Sequence, residues 1–386
     1  MIHQTPKIPF LISLMDLSKL VDPVFIQKKK NSDMAHVLIT GANGFLALFL
    51  IDKLSIDPRV KTISCFVRNI DKFKKEKEKL GLSFSENKIK FVIFDEFFAQ
   101  TNSDKISYLE TVTQFIHNAA QVHNLKNAGQ LWDSNIILTL KILHLWQQTK
   151  HDASFHLIST LSVFASKLVE PFHLEKKREK VTETHLISDS KSMLAGGYAQ
   201  TKWICEFLLS QYENSHIIRL GLLTPATSTS IFRSNEFLTD FFHLIKNMDF
   251  LPHQNSADYE AYARFIFVDL SPVNEVADNI MNLIGTKPVV HIANSESLSL
   301  YSIAPSNKPH LSIQDWETYI NIQKISKINK ILLKNAFLRD SYLLNNISYF
   351  NLDLFQSTRH DWSHNNAIMS NPQLILKHYL DYEATT

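Results

Sequence analysis

From residue 36 onward, short apolar runs alternate with longer stretches in which apolar residues return every three or four positions. The runs 36–40 (HVLIT), 60–67, 90–94, 113–117, 155–159, 216–220 and 288–292 read as strands. The segments 45–55, 131–148 and 198–211 carry helical spacing, and 71–80 (DKFKKEKEKL) reads as a charged surface helix. Strand–helix alternation predicts an α/β fold, with a parallel sheet covered by helices on both faces. Past residue 222 the regularity fades. An aromatic-rich stretch at 237–250 reads as a helix, and 300–386 is mixed. Residues 1–35 stand apart as an extension with a short helical pattern at 14–24 and a basic run, Lys28-Lys29-Lys30, that reads as a solvated linker.

Composition narrows the classes. The 386 residues are 45% hydrophobic and 20% charged, an ordinary globular balance. A formal net charge of +2 gives no electrostatic case for nucleic acid. The two cysteines, Cys65 and Cys205, have no metal-ligand spacing, so neither a metal site nor a disulfide framework is expected, and a reducing, cytoplasmic setting is the default. The apolar run at 8–15 is short, is followed at once by Asp16 and lacks a small-residue cleavage site, so it does not read as a signal peptide. No stretch has the length of a transmembrane helix.

Glycine is scarce: eight in the chain, about 2% against a usual value of about 7%. A chain so poor in glycine keeps it where the backbone needs it. The first strand runs into Thr40-Gly41-Ala42-Asn43-Gly44-Phe45-Leu46-Ala47, a T-G-x-x-G-x-x-A turn opening a helix. The first glycine permits the tight turn, the second lets the backbone approach a pyrophosphate, and Ala47 keeps helix and strand close. Helical N–H groups and the positive dipole end then face the phosphates. This strand–turn–helix context makes the motif a dinucleotide site of a Rossmann-type, doubly wound sheet.

At the end of the second strand an NAD site usually places an acid for the ribose 2′-hydroxyl. Here stands Arg68, followed by Asn69, so a 2′-phosphate and NADPH are expected, with Lys72 as a weaker partner. Asn118, Ala119 and Ala120 end a strand with small residues against which the cofactor can lie. His117 reads as a structural histidine rather than a catalyst. Asp95 reads equally as an adenine contact or as a helix cap.

Tyr198 and Lys202 form a Y-x-x-x-K pair, and i, i+4 spacing sets both on one helical face. A neighbouring ammonium is expected to lower the phenol's pKa, so the pair would work as acid or base at a carbonyl. Upstream, 155–160 (FHLIST) ends in hydroxyls, and Thr160 would hydrogen-bond the same substrate oxygen. Asn135 lies between this strand and the glycine turn.

With these residues in hand, the chain resembles the extended short-chain dehydrogenases/reductases, and among them the thioester-reductase and fatty-acyl-reductase, male-sterility-like branch. The matching segments are VLITGANGFLALFL, CFVR, FIHNAAQVHN, SNIILTLKIL, FHLISTLSV, GGYAQTKWICEFLL, IIRLGLLTP and FVDLSPVNEVADNI with VVHIAN, in family order over about 36–295. The resemblance implies a catalytic set of Thr160, Tyr198 and Lys202. It implies cofactor contacts at Thr40, Gly41, Asn43, Gly44, Phe45, Leu46, Arg68, Asp95, Asn118, Ala119, Ala120 and Asn135, besides Tyr198 and Lys202. Ala47 and Thr201 depart from the more usual glycine and serine. The implied domains are an NADP-binding part at 36–222 and 263–296 and a substrate-binding cap at 223–262 and 297–386. The implied reaction is NADPH-dependent reduction of an acyl thioester, on a carrier protein supplied in trans or on coenzyme A, to an aldehyde and on to an alcohol if a second hydride follows. A nucleotide-sugar epimerase and a non-catalytic dinucleotide sensor are the rival readings. Leu161 and Ser162, where a dehydratase needs acid–base carboxylates, disfavour that relative. Within the cap, Phe237, Leu238, Phe241, Phe242, Ile245 and Met248 recur at helical spacing, as core packing or as one wall of an acyl channel.

Overall fold

The computed structural model describes residues 34–123, 126–149, 152–164, 196–227, 244, 247–252, 267–294, 297–299, 308–325, 330 and 370–371. The chain divides into two compact units: Met1–Val163 with Leu186–Arg219 and Ile280–Val290, and Phe164–His185 with Leu220–Asn279 and His291–Thr386.

The first unit is built on a seven-stranded sheet. Its strands are β1 (His36–Thr40), β2 (Thr62–Val67), β3 (Ile89–Ile93), β4 (Gln114–His117), β5 (Ser154–Thr160), β6 (Ser215–Leu220) and β7 (Val289–Ile292), in the order β7-β6-β5-β4-β1-β2-β3. β1 pairs in parallel with both β2 and β4, β2 with β3 and β4 with β5. The strand order reverses between β1 and β4, the switch point at which open α/β sheets bind ligands beyond the strands' carboxyl ends. All five residues of β1 are buried, as a central strand covered on both faces requires.

Helix α1 (Phe45–Ile56) is buried nearly all round, from Phe45 to Ile51 and again at Leu54, so it is held by packing rather than by an apolar stripe. By contrast α2 (Ile70–Lys79) buries Phe73 alone, which meets Phe84 and Phe91 edge-on. The apolar stretch at 90–94 does not end as a strand. Phe94 opens a short helix, α3 (Phe94–Ala99), and α4 (Asn102–Leu109) follows, with the Thr101 side chain accepting the Asp104 N–H at its start. The helical pattern at 131–148 is a 3₁₀ turn (Gly129–Leu131), a π-helical stretch (Trp132–Ile137) and only then α5 (Leu138–Gln147). The last helix of this unit that bears on the site is α6 (Gly197–Leu209), which packs on β5 and on the 3₁₀ and π stretch.

In the second unit, short ladders join Leu223–Thr224 to Ser271–Pro272, Phe267–Asp269 to Ser297–Ser299 and Leu251–Pro252 to His310–Leu311. Asp269 is buried and accepts the Leu222 N–H at 2.9 Å and the Ser271 hydroxyl at 3.1 Å, and burial pushes its carboxyl up to about 7. A Cβ on Gly221 would stand 1.6 Å from the same Asp269 oxygen, so the glycine makes room for that carboxylate. Helix α7 spans Val273–Leu283. Helix α8 (Ile313–Ile322) buries Trp316, whose indole donates to the Phe250 carbonyl at 3.1 Å. Of the aromatic stripe at 237–248, only Met248 is among the described residues, and it is buried, as is nearby Leu244. Phe237, Leu238, Phe241, Phe242 and Ile245 lie outside them. No helix among the described residues is long and apolar enough to cross a membrane.

Candidate active site

Two constructions meet at the carboxyl end of the first unit's sheet. One is a backbone cradle at the switch point. Gly41 has φ +64°, the left-handed region that side chains avoid, and a Cβ there would stand 2.7 Å from the Cα of Ala119. A Cβ on Gly44 would stand 3.0 Å from the Gly41 carbonyl oxygen and 3.2 Å from Nδ2 of Asn118, which itself donates to that carbonyl at 3.4 Å. Gly44 closes the turn through its N–H to Gly41 O at 2.8 Å and brings no capping side chain to α1. The sequence-predicted residues Gly41, Asn43, Gly44, Asn118, Ala119 and Ala120 are thereby brought to one place. Phe45 and Leu46 are buried in the core, so only their backbone is available to a ligand.

Beneath the cradle runs a chain of neutral hydrogen bonds whose order fixes each proton. Thr139 donates its hydroxyl to the Asn135 carbonyl at 2.6 Å, so its contact with His117 Nε2 at 2.9 Å requires the histidine to donate. Nδ1 of His117 must then accept, and Thr40 donates to it at 2.8 Å while accepting the Ala119 N–H at 3.2 Å. His117 is fully buried and neutral, with burial and then Lys202 pushing it down to about 3. It ties β1, β4 and α5 together and has no nitrogen left for catalysis, in keeping with its reading as a structural residue.

Arg68 stands exposed at the end of β2, and Asn69 behind it caps α2 by accepting the Lys72 N–H at 2.7 Å. Asp95 is not at a strand end. It is exposed in the first turn of α3, where a carboxylate complements the helix dipole.

The other construction is the start of α6. Gly196 has φ +78°, and a Cβ on Gly197 would stand 2.3 Å from Asn127 C and 2.4 Å from both Ala128 N and Lys126 O. Two glycines immediately before Tyr198 therefore let the helix's first turn sit against the 126–128 backbone. Asn135, buried in the π stretch, accepts the Gln121 N–H at 2.7 Å and donates to the Gln121 carbonyl at 3.2 Å and to Thr201 Oγ1 at 2.9 Å. Its side chain is thus committed to joining the strand-end loop to α6.

Lys202 is buried, and its ammonium donates to the Ile158 carbonyl of β5 at 2.6 Å. Thr160, two residues further along β5, donates to Ser162 Oγ and accepts the Ser162 N–H, both at 3.1 Å. The expected lowering of the Tyr198 pKa is not what the structure gives. Burial, with Cys205 second, raises it, and the phenol stays protonated. Desolvation of the phenol disfavours its charged form, and the Lys202 ammonium lies on the Ile158 carbonyl.

Sequence reasoning missed the buried pair beneath α6. Arg219, wholly buried in β6, holds Glu206 by Nε at 3.0 Å and Nη2 at 2.8 Å, and Ser159 donates to the same carboxylate at 2.5 Å. The signal was present: an arginine inside the apolar strand HIIRL and a glutamate inside ICEFLL each need a buried partner.

The NAD-binding family model described as male sterility protein matches residues 39–280, well over half of the chain. The chain belongs to this family. The male sterility family model thus covers both the cradle and the Tyr198–Lys202 helix. Among curated relatives, the chain is similar to the non-reducing polyketide synthase pgmA of Aspergillus terreus, 24% identical over 297 residues, 69% of this chain and 12% of that protein. It is similar to the L-2-aminoadipate reductase large subunit of Candida glabrata, 26% identical over 266 residues, 63% of this chain and 18% of that protein. The chain therefore spans only a small part of the length of these relatives. Among solved structures, the terminal R domain from the myxalamid PKS-NRPS biosynthetic pathway aligns with a TM-score of 0.72 at 19% identity over 96% of this chain and 97% of that one. A thiolation-reductase di-domain from an archaeal non-ribosomal peptide synthetase aligns at 0.67, 18% identical over 92% and 76%. These likenesses establish the shared fold.

Proposed function

We propose that this chain is an NADPH-dependent reductase of acyl thioesters, releasing an aldehyde. The observation that carries the reading is the α6 face. Tyr198 stands one turn from Lys202, and the buried ammonium of Lys202 is anchored on β5 two residues before Thr160, at the carboxyl end of the sheet that also bears the glycine cradle.

The cradle suits a dinucleotide: Gly41 and Gly44 let the turn close tightly on Ala119 and Asn118, so backbone rather than side chains would face a pyrophosphate. Gly41, Gly44, Asn118 and Ala119 would hold the phosphates and Arg68 the 2′-phosphate that separates NADPH from NADH. When bound, NADPH supplies the hydride for the thioester carbonyl. Tyr198 is protonated at neutral pH, the form an acid needs, and donates its proton to the oxygen that gains charge. Thr160 turns its hydroxyl from Ser162 to the same oxygen and shares that charge. Lys202 keeps one hydrogen bond on Ile158 and offers its remaining N–H donors to the ribose. Collapse of the tetrahedral adduct then breaks the carbon–sulfur bond, leaving aldehyde and thiol.

The name of one similar structure, a thiolation-reductase di-domain, supports a carrier-bound thioester over a free acid. The test is incubation with NADPH and a panel of acyl-CoA and acyl-pantetheine thioesters, following absorbance, free thiol and aldehyde. Equimolar NADPH loss, thiol and aldehyde are expected. NADPH binding with no turnover on any thioester would overturn the reading.

A further inference from the structure

Three consecutive residues of β5 each reach a different part of the site. Ile158 gives its carbonyl to Lys202, Ser159 gives its hydroxyl to Glu206, and Thr160 ends the strand. On α6, Tyr198, Lys202 and Glu206 follow one another at i, i+4 and i+8, so the carboxylate lies on the helical face of the other two. Glu206 is in turn gripped by the fully buried Arg219 of β6, Nε at 3.0 and 3.2 Å from its two oxygens and Nη2 at 2.8 Å from one.

From this geometry we infer that Ser159, Glu206 and Arg219 form a positioning clamp for Lys202, setting how deep α6 lies against β5 and hence where the ammonium meets the cofactor ribose. The inference rests on the role proposed above for Lys202.

A helix can slide or roll by a fraction of a turn on a smooth apolar face. A forked guanidinium from one strand and a hydroxyl from the next, closing on one carboxylate, fix both height and roll. The charges are also ordered. Burial lowers the Lys202 pKa, while Cys205 and Glu206 raise it. Burial pushes the Cys205 thiol up, which keeps it neutral at pH 7, so Glu206 is the anion that counts beside the ammonium. Arg219 balances that anion and holds its oxygens away from Lys202, leaving the ammonium to the Ile158 carbonyl.

The experiment is a double-mutant cycle on the full chain. Glu206→Gln with Arg219→Met exchanges the ion pair for a neutral pair of similar volume, a change that cores often accept without loss of stability. It is measured alone and in a Lys202→Ala background, with NADPH affinity, kcat and melting temperature as readouts. The neutral pair is expected to keep the melting transition, to weaken NADPH about tenfold, as couplings within one network allow, and to have no further effect once Lys202 is alanine. Unchanged NADPH affinity in the neutral pair, or a penalty that simply adds to that of Lys202→Ala, makes the clamp structural only and overturns the proposal. If Lys202→Ala alone leaves NADPH affinity intact, the assigned role of Lys202 falls and the clamp falls with it. Should the neutral pair show no melting transition, Ser159→Ala, which removes one hydroxyl and leaves the ion pair, carries the same cycle with the same criteria.

Discussion

The cradle under β1 and β4 and the helix α6 are both opened by a pair of glycines, yet what lies beneath them differs. Under the cradle the connections are neutral: Ala119 N–H to Thr40, Thr40 to His117, His117 to Thr139 and Thr139 to Asn135. Under α6 they are ionic: Lys202 on a carbonyl, Glu206 in the fork of Arg219. Binding a phosphate needs only fixed N–H groups and a helix end, which neutral hydrogen bonds align well. Steering a proton and a ribose at a dry site needs a charge held in place, and a buried charge needs a partner. The contrast predicts that damage at α6 is read in turnover as well as in cofactor binding, and damage at the cradle in binding and acid stability.

The largest effect is expected at Tyr198. Tyr198→Phe removes only the proton donor, so turnover should fall by about 10²–10⁴-fold, the usual worth of a positioned acid, with NADPH affinity retained. Steady-state rates together with a cofactor titration check it. Near-normal turnover would mean that the acid is another group.

The glycine pair before Tyr198 tests how closely α6 approaches the 126–128 backbone. Gly197→Ala puts a methyl group against three backbone atoms closer than 2.5 Å, where no side chain can yield. It should destabilise the chain by at least the ~1–3 kcal/mol of ordinary overpacking. Gly196→Ala meets open space and bears only the strain of a positive-φ extended backbone, about 1–3 kcal/mol. Thermal unfolding of both variants should rank them in that order, and equal melting temperatures would deny the close approach of α6 to 126–128.

Arg68→Ala comes next. Losing one charge-assisted contact costs about 1.5–3 kcal/mol, so NADPH should bind roughly tenfold or more weakly while NADH is nearly unaffected. Equal losses for both cofactors would remove the 2′-phosphate from Arg68.

How far the sequence foresaw this division follows from what each region is made of. Backbone devices leave a local trace: a strand, two glycines and a small residue at fixed spacing announced the cradle, and Gly196-Gly197-Tyr198 with Lys202 announced the start of α6. The strand order and the male sterility family membership agree with that reading. What stayed hidden is long-range pairing. Glu206 and Arg219 lie on different elements, and no periodicity couples a helix position to a strand position. The Asn135 side chain spans three segments from inside a π stretch, where the spacing 131–148 suggested one regular helix. The run at 90–94 misled for a related reason. Its apolar residues continue without a break into a helix, Phe97 packing edge-on against Phe66 and Tyr108, so length alone did not mark the boundary.

The last expectation concerns acid. His117 is neutral in the folded chain and pushed down to about 3, whereas unfolded it would titrate near 6.5. Between those values the unfolded chain binds the extra proton, so stability rises with pH there. The contribution of His117 is therefore complete above about pH 6.5 and is lost progressively as pH falls toward 3, by at most about 1.4 kcal/mol per pH unit for one proton. His36, pushed down to about 4, and His156, lowered by burial, act in the same direction, so the share of His117 is the difference between the parent chain and His117→Gln. That variant should lose some stability at pH 7, where its neighbours Thr40 and Thr139 lose a partner, and should show a shallower acid limb between pH 6 and 4. Melting temperatures measured at half-unit pH steps compare the two chains directly. Parallel acid limbs in the parent chain and in His117→Gln would show that protonation of the cradle's neutral chain is not what acid attacks.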